Sequence, residues 1–309
     1  MSRIKKTGIL IVAVLMVVFM ALSSTDLIVE EEQEEIKKIS VIVVEQEGCN
    51  TDNFKRGIEQ AANAVRADVS YIEIQSEEED EKILEYMKRE SERGEQAMIF
   101  FSEREDLVLR YLQSEWEKIP LICVNSYSDY EGPALRVGLD VENMAKSFAE
   151  RIEKIYGTDI TAVLITNGKE DSENISRFLE DAFREKNIKT KKIEDSRKQV
   201  RKYAEEYSED KIFVGCCTAA TERTAVYLKE GEAALYGVGY SNEILQYIRE
   251  GSIEGVMAYS MYSIGINAME CAGEILGKKQ MEKKDVLVSS RWITKDNMKS
   301  EYEFLFPIY

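Results

Sequence analysis

The stretch 237–265, GVGYSNEILQYIREGSIEGVMAYSMYSIG, constrains the fold more than any other part of the chain. A short apolar run ends at its first glycines. A segment of helical spacing, 242–250, follows, with a capping-type asparagine at its start and Gly251 as the C-cap at its end. A second apolar run, 253–259, leads straight into another helical segment that begins at Tyr262. Strand, helix, strand and helix in this order are typical of a parallel sheet covered by helices, so the sequence predicts an α/β fold here.

The same alternation runs through the rest of the chain beyond residue 38. Apolar runs of strand length are separated by segments of helical spacing, at intervals of about 12 residues. The predicted strands are 39–44, 69–74, 97–101, 121–124, 161–166 and 211–214, and the predicted helices are 52–66, 82–93, 107–117, 174–186, 198–206 and 221–230. A chain of 309 residues is long enough for two domains of about 150 residues each. The pattern therefore predicts two similar halves, each with a doubly wound sheet.

Composition excludes several classes of function. The chain carries 58 acidic and 41 basic residues, a net charge of −17, whereas binding to nucleic acid needs a basic face. It contains no histidine, which excludes Ser-His-Asp and Cys-His catalysis and every histidine-based metal site. No P-loop or G-x-S-x-G motif occurs, and the five cysteines form no recognisable disulfide framework. We therefore expect a protein that binds no nucleic acid, catalyses no reaction and holds no cofactor or metal.

Residues 1–29 are predicted to be a targeting segment. Basic residues precede an uncharged run, 7–25, which is the order found in secretory signals. Two interpretations stay open: a signal peptide that is cut near Ser23 or Ser24, or an uncleaved anchor whose 19 uncharged residues just span a bilayer of about 30 Å. In both cases the basic flank stays in the cytoplasm and the acidic remainder lies outside it. The segment 30–38 is predicted to be an acidic linker.

The stretch 237–265 also resembles the second-hinge region of the type I periplasmic sugar-binding proteins. This ribose- and galactose-binding group shares its fold with LacI-type regulator cores, and its pattern here is roughly G-F-D-x-x-x-E-x-L, then I-x-x-G-x-I-x-A-x-V-A-Q-x-x-x-x-x-G. The positions in register are Glu243, Leu245, Ile248, Gly251, Ile253, Ala258 and Gly265. FKRGIEQAANAV (54–65) resembles the family's first helix, KIPLICVNS (118–126) resembles its GIPVVTIDS strand, and 135–155 resembles the first crossing between its lobes.

The resemblance implies a two-lobed type I clamshell in which each lobe is a doubly wound parallel sheet. Lobe 1 would comprise residues 39–139 and 260–287, and lobe 2 residues 140–259 and 288–309. The implied function is that of a monomeric, extracytoplasmic solute-binding protein. It would capture a carbohydrate or sugar derivative between the lobes and deliver it to the membrane permease of an ABC importer. One alternative stays open: a membrane-anchored sensor partner of a receptor or histidine kinase, whose ligand is not necessarily a sugar.

Ligand-binding residues are expected where strands of both lobes end at the cleft, because ligands of open α/β sheets bind outside the carboxyl ends of the strands. The segments that follow predicted strands are 45–51, Ser102, 125–127, 167–170, 216–218 and 239–241, with Tyr259 at the hinge.

The residues with which the family binds sugars are mostly replaced in this chain. Asn125 stands where the family has an aspartate after the fourth strand, and Gly239 stands at the aspartate of G-F-D. Tyr259 replaces the hinge glutamine, and the helical arginine position falls at Leu179, two residues from Arg177. Three tyrosines indicate a more aromatic pocket, suited to a glycoside or a non-sugar molecule. The candidate ligand-binding residues are Asn50, Asn125, Tyr127, Arg177, Cys217, Tyr240 and Tyr259.

Overall fold

The structure is a computed structural model. It describes residues 36–45, 49, 51–128, 130, 133–206, 211–228, 233–277 and 285–305, together with residues 14 and 16. The chain separates into the units Met1–Ile36 and Lys37–Tyr309, and the elements named below lie in the second unit. Apart from residues 14 and 16, the predicted targeting segment lies outside the described residues. None of the described helices combines the length and the apolar character that crossing a membrane requires.

The first lobe is built on a six-stranded sheet. Its strands are β1 (Lys37–Val44), β2 (Ala67–Ile74), β3 (Ala97–Phe101), β4 (Leu121–Val124), β5 (Ala134–Leu139) and β11 (Val286–Val288). They lie in the order β11-β5-β4-β3-β1-β2, and the neighbouring strands pair in parallel. The helices that pack on this sheet are α1 (Thr51–Val65), α2 (Asp80–Glu92), α3 (Glu105–Gln113) and α9 (Met261–Gly277). The central strands β3 and β4 are buried throughout because helices cover both faces, which explains their unbroken apolar sequence.

The second lobe repeats this arrangement with another six-stranded sheet. Its strands are β6 (Thr161–Thr166), β7 (Lys189–Glu194), β8 (Lys211–Gly215), β9 (Ala234–Val238), β10 (Gly255–Ala258) and β12 (Arg291–Thr294), in the order β12-β10-β9-β8-β6-β7. The helices are α4 (Val141–Tyr156), α5 (Glu170–Glu185), α6 (Arg197–Glu205), α7 (Thr218–Tyr227) and α8 (Asn242–Glu250), followed near the C-terminus by α10 (Tyr302–Leu305). The prediction of two doubly wound sheets is confirmed, with one difference: β12 pairs antiparallel to β10 at the edge.

Within 237–265 the predicted order of strand, helix, strand and helix is correct, but the cap of the first helix was misplaced by one residue. The N-cap of α8 is Ser241, whose Oγ accepts a hydrogen bond from the Ile244 N–H at 3.0 Å. Gly251 ends the helix in the left-handed conformation, with φ of 88°.

The chain crosses between the two sheets at three points within the described residues: from β5 to α4, from β10 to α9, and from β11 to β12. The first and third crossings lie side by side, because the Asp140 N–H donates to the Val288 carbonyl at 2.9 Å. Nearby, the Arg136 guanidinium binds the Asp285 carboxylate at 2.8 and 3.0 Å. These contacts fix the strands that lead into the hinge. The lobe boundaries given above stay a prediction, since Lys37–Tyr309 is a single compact unit.

Helices α1 and α9 pack backbone to backbone on the first sheet. A Cβ atom at Gly57 would lie 2.1 Å from the Tyr262 carbonyl oxygen, and one at Gly265 would lie 2.1 Å from the Phe54 carbonyl oxygen. Only glycine permits this close approach, which brings the helix that returns from the second lobe firmly into the first.

Candidate ligand-binding cleft

Strand ends of both lobes converge on one cleft, which encloses about 460 Å³ of empty space, part of it open solvent at the mouth. The first lobe contributes Cys49, Glu103 and Asn125, which follow β1, β3 and β4. The loop after β6 and the first turns of α5 contribute Asn167, Lys169, Asp171, Ser172 and Ile175. Cys217, Thr218 and Val238 come from the ends of β8 and β9, and Tyr259 comes from the hinge. Ligands of open α/β sheets bind at this kind of location.

Asn125 enters the cleft from a left-handed turn directly after β4. Its φ is 63°, a conformation that asparagine tolerates better than most residues. The residue is only 6% exposed. The turn therefore places an amide, which both donates and accepts hydrogen bonds, on the wall of the cleft.

Glu105, in the first turn of α3, holds the loop that follows Asn125. Its carboxylate accepts hydrogen bonds from the backbone N–H groups of Tyr127 and Ser128, the latter at 2.9 Å, and from the hydroxyls of Ser126 and Ser128. The Arg136 guanidinium also donates to the Tyr127 carbonyl at 2.8 Å. The main chain of Tyr127 is therefore fixed from two sides.

The side chain of Tyr127 bridges the lobes. Its hydroxyl donates to Asp171 Oδ1 on α5, and its ring lies 6.5 Å from that of Phe178 on the same helix. Burial raises the pKa of Asp171 to about 6, and the charge of Glu103 adds to this, whereas the hydrogen bond from Tyr127 opposes it. Burial and the neighbouring Asp171 raise the pKa of Tyr127, so the tyrosine stays protonated and acts as the donor.

A second bridge joins Glu103 to the start of α5. The Asp171 N–H donates to Glu103 Oε2 at 3.4 Å, which places a carboxylate of the first lobe at a helix N-terminus of the second. Such a position favours negative charge because the first N–H groups of a helix have no partner within it. The preceding loop is held by Asn167, whose N–H donates to Ser172 Oγ at 3.1 Å.

Cys217 and Thr218 form the wall at the end of β8. Cys217 is the N-cap of α7, and its Sγ accepts from the Ala220 N–H at 3.4 Å. Burial raises the pKa of this thiol to about 12, so it is a neutral group at physiological pH. Thr218 lies against Gly239, where φ is 92° and an added Cβ would lie 2.2 Å from Thr218 Oγ1.

Of the other candidates that the sequence suggested, some line the cleft and some do not. Tyr259 lies at the hinge and lines the cleft. Tyr240 is buried next to it, and its hydroxyl accepts from Asn53 Nδ2 on α1 at 3.5 Å, which makes a further contact between the lobes. Arg177 is exposed on α5, donates to Asn174 Oδ1 at 2.6 Å, and is not among the residues that line the cleft. Asn50 lies outside the described residues.

Sequence reasoning missed Glu103, Asp171, Ser172, Ile175 and Val238 as lining residues. The predicted helix 174–186 begins at Glu170 in the structure, so Asp171 and Ser172 lie in its first turn rather than in a loop. Their signal was the acidic first turn, which favours a helix start. Lys169 and Thr218 lie within the predicted segments 167–170 and 216–218, but neither was among the candidate ligand-binding residues.

Two α/β lobes that are joined by a hinge and face one polar cleft have the architecture of a ligand-binding protein. A family model described as the periplasmic binding protein domain matches residues 39–280. The chain therefore belongs to this family, the type I periplasmic binding proteins, which are extracytoplasmic substrate-binding proteins without enzymatic activity. A search of curated proteins found no match.

Several solved structures share this fold. An ABC transporter solute-binding protein from Burkholderia graminis, in complex with D-arabinose, is 17% identical, with a TM-score of 0.71 over 86% of this chain and 99% of that chain. GanP, a glucose-galactose binding protein from Geobacillus stearothermophilus, is 18% identical, with a TM-score of 0.70 over 86% of this chain and 99% of that chain. A 5-methylthioribose transporter solute-binding protein from Thermotoga lettingae is 13% identical, with a TM-score of 0.69 over 88% of this chain and 91% of that chain.

Proposed function

We propose that this protein captures a carbohydrate or sugar derivative in the cleft and delivers it to the membrane permease of an ABC importer. The observation that carries the proposal is the composition of the cleft walls. Amide, carboxylate and hydroxyl groups approach from both lobes, and Tyr259 adds an aromatic ring at the hinge. Paired sugar hydroxyls need such donors and acceptors, and the C–H face of a sugar packs well on an aromatic ring. Two of the similar structures contain D-arabinose and 5-methylthioribose, which belong to this chemical class.

Among the candidates from the sequence, Asn125, Cys217 and Tyr259 are proposed to contact the ligand directly, because they line the cleft. Glu103, Asn167, Asp171 and Thr218 join them as proposed contacts for the same reason. Tyr127 and Tyr240 are proposed to act through the interlobe contacts described above. Asn50 and Arg177 stay predictions.

A thermal-shift screen of the full-length protein against pentoses, hexoses and glycosides tests the proposal. A ligand present at 100 times its Kd stabilises a folded protein by about 2.7 kcal/mol, a shift that is easily measured. We expect at least one sugar to raise the Tm, and we expect Tyr259→Ala to weaken its binding by about fivefold, since an aromatic contact contributes roughly 1 kcal/mol. Tyr259→Phe keeps the ring and should retain most of the affinity. A folded protein whose Tm responds to no sugar would contradict the proposal.

The proposed location is outside the cytoplasm, with the protein either released by cleavage of residues 1–29 or held at the membrane by them. We propose that the protein is a monomer, which light scattering on the purified chain can test. An assay that measures uptake of the identified sugar by cells that lack the protein distinguishes delivery to an importer from the alternative role as a sensor. Loss of uptake supports delivery, whereas normal uptake with loss of the transcriptional response to the sugar supports a sensor.

A further inference from the structure

Carboxylates of both lobes lie at one side of the cleft, and two of them, Glu103 and Asp171, line it. Glu103 and Glu105 belong to the first lobe, and Glu170 and Asp171 belong to the first turn of α5 in the second. Partial burial raises the pKa of Glu170, the charges of Glu105, Asp106 and Glu103 raise it further, and a hydrogen bond from the Glu105 backbone opposes them. Burial and the charge of Glu103 likewise raise the pKa of Asp171. These groups repel one another across the line where the lobes meet.

Two cations of the described residues lie close to these carboxylates in the chain, Arg104 next to Glu103 and Lys169 next to Glu170. Arg104 donates to Asp80 Oδ1 at 2.7 Å and to the Glu78 carbonyl at 2.8 Å, on the outer side of the first lobe. Lys169 lines the cleft, but its side chain is exposed and its charge acts on Glu77. A hydrogen bond from Ser76 lowers the pKa of Glu77 most, a backbone hydrogen bond lowers it next, and the charges of Lys169 and Arg104 make smaller contributions. Burial and the charge of Glu103 raise the pKa of Asp171, and no cation of the described residues acts on that pKa, so neither Arg104 nor Lys169 offsets the repulsion at Asp171.

An anionic ligand fits this arrangement poorly. The N-terminus of α5 would be the natural place for an anion, but Glu103 already accepts a hydrogen bond from the Asp171 N–H there. A ligand carboxylate or phosphate would have to displace Glu103 and would then face Asp171. A neutral sugar could bind to both carboxylates through its hydroxyls, but it would leave their mutual repulsion in place.

We propose that the cleft selects a sugar that carries a protonated amine, and that Glu103 and Asp171 hold this amine between the two lobes. The inference rests on the proposed function and names the ligand class within it. A cation placed between two carboxylates stabilises both, and the effect is strong where water is excluded. Because the two carboxylates belong to different lobes, the amine binds best when the lobes are closed. Its charge therefore favours closure as well as affinity.

Calorimetric titration of the full-length protein at pH 7.5 tests the inference with matched sugars. The probes are D-glucosamine, D-glucose and N-acetyl-D-glucosamine, with the same three forms of galactose as a second series. Each series keeps the ring and changes only whether the substituent is a charged amine, a hydroxyl or a neutral amide. We expect the amine to bind at least tenfold more tightly than both neutral forms in one series. This preference should fall about tenfold or more in Glu103→Gln and in Asp171→Asn.

Glu85→Gln is the matched control, because Glu85 is exposed on α2 and its replacement removes one negative charge away from the cleft. The preference should survive in this variant, and the Tm of each variant establishes that it is folded. Equal or tighter binding of a neutral sugar would overturn the inference and leave the proposed function standing. An amine preference that is unchanged in both cleft variants would overturn the role of the two carboxylates. Failure of every sugar to bind the folded protein would overturn the inference together with the proposed function.

Discussion

Thr218 occupies the space that a side chain at position 239 would need, and this contact explains one departure of the chain from its family. The family pattern has an aspartate where this chain has Gly239, so the cleft would lose a polar group at that position. Thr218 Oγ1 lies 2.2 Å from the place of the missing Cβ and lines the cleft instead. The polar group therefore comes from the end of β8 rather than from the end of β9.

A double-mutant cycle on these two residues tests this account. Gly239→Ala should lower the free energy of unfolding by about 2–3 kcal/mol, because alanine is strained at φ of 92° and collides with Thr218 Oγ1. In a Thr218→Ala background the collision is relieved while the backbone strain remains, so the cost should fall by about 1 kcal/mol or more. Chemical denaturation of the four proteins measures both values. Strict additivity would show that the two side chains do not compete for space.

Asp171 makes the stability of the protein depend on pH in a defined direction. Its pKa is raised to about 6 from an ordinary value of 3.8, so the folded protein disfavours the charged carboxylate. The resulting cost is absent below pH 3.8, grows as the pH rises, and is complete above pH 6. Asp171→Asn should therefore stabilise the protein at pH 8, by at most about 3 kcal/mol, and have little effect near pH 4.

Melting curves of the wild type and Asp171→Asn between pH 4 and pH 8 measure this difference. Asp181→Asn is a suitable control, because Asp181 is an exposed residue of the same helix and pairs with Arg184 at the surface. A difference between Asp171→Asn and the wild type that stays constant across this range would refute the assigned pKa.

At the scale of elements, the packing of α1 against α9 fixes the position of α9, which follows a strand of the second lobe, within the first lobe. The two helices touch through Gly57 and Gly265, each facing a backbone carbonyl of the other helix. The carbonyl belongs to the main chain of a packed helix and cannot rotate away as a side chain could. Small residues at these positions are therefore a steric requirement of the interface.

Gly265→Ala should destabilise the protein by about 3 kcal/mol, because the new methyl group would force the helices apart. Gly277→Ala, at the end of the same helix, is the control: its Cβ would meet no atom within 4 Å, and the change should leave the Tm nearly unaltered. Thermal denaturation of both variants makes the comparison. Equal Tm values for the two variants would argue against close packing at Gly265.

The edge strands show where element prediction from sequence reaches its limit. β7 was missed because five of its six residues are at least partly exposed and three of them are lysines, so the apolar signal is reduced to Ile193. Its strand character comes from pairing with the buried strand β6. β12, the edge strand on the other side of this sheet, pairs with β10, and no local pattern reveals that it runs antiparallel.

At the scale of the whole molecule, closure depends on a few polar contacts between lobes of like charge. Tyr127 donates to Asp171, the Asp171 N–H donates to Glu103, and Asn53 donates to Tyr240. The net charge of −17 and the carboxylates beside the cleft oppose closure, because like charges repel one another. Loss of a single contact should therefore shift the balance between open and closed forms.

Tyr127→Phe removes the hydroxyl that reaches Asp171 and should favour the open form by about 1 kcal/mol, the net contribution of one hydrogen bond. Small-angle X-ray scattering of the sugar-free protein should then give a larger radius of gyration than that of the wild type. Tyr130→Phe is the control, since the hydroxyl of Tyr130 bonds to Ser126 within the same lobe. A radius of gyration that is the same in all three proteins would mean that the Tyr127 contact does not hold the lobes together.

The sequence by itself determined the alternation of strands and helices, the duplication into two halves and the location of the cleft at the strand ends. These features follow from local apolar periodicity and from chain order, which a single sequence contains. Only the tertiary structure decided which side chains meet in the cleft. Glu103 and Asp171 are far apart in sequence and adjacent in space, and Thr218 stands in for a residue of another strand. Such contacts depend on how the two lobes face each other, and no local pattern encodes that relation.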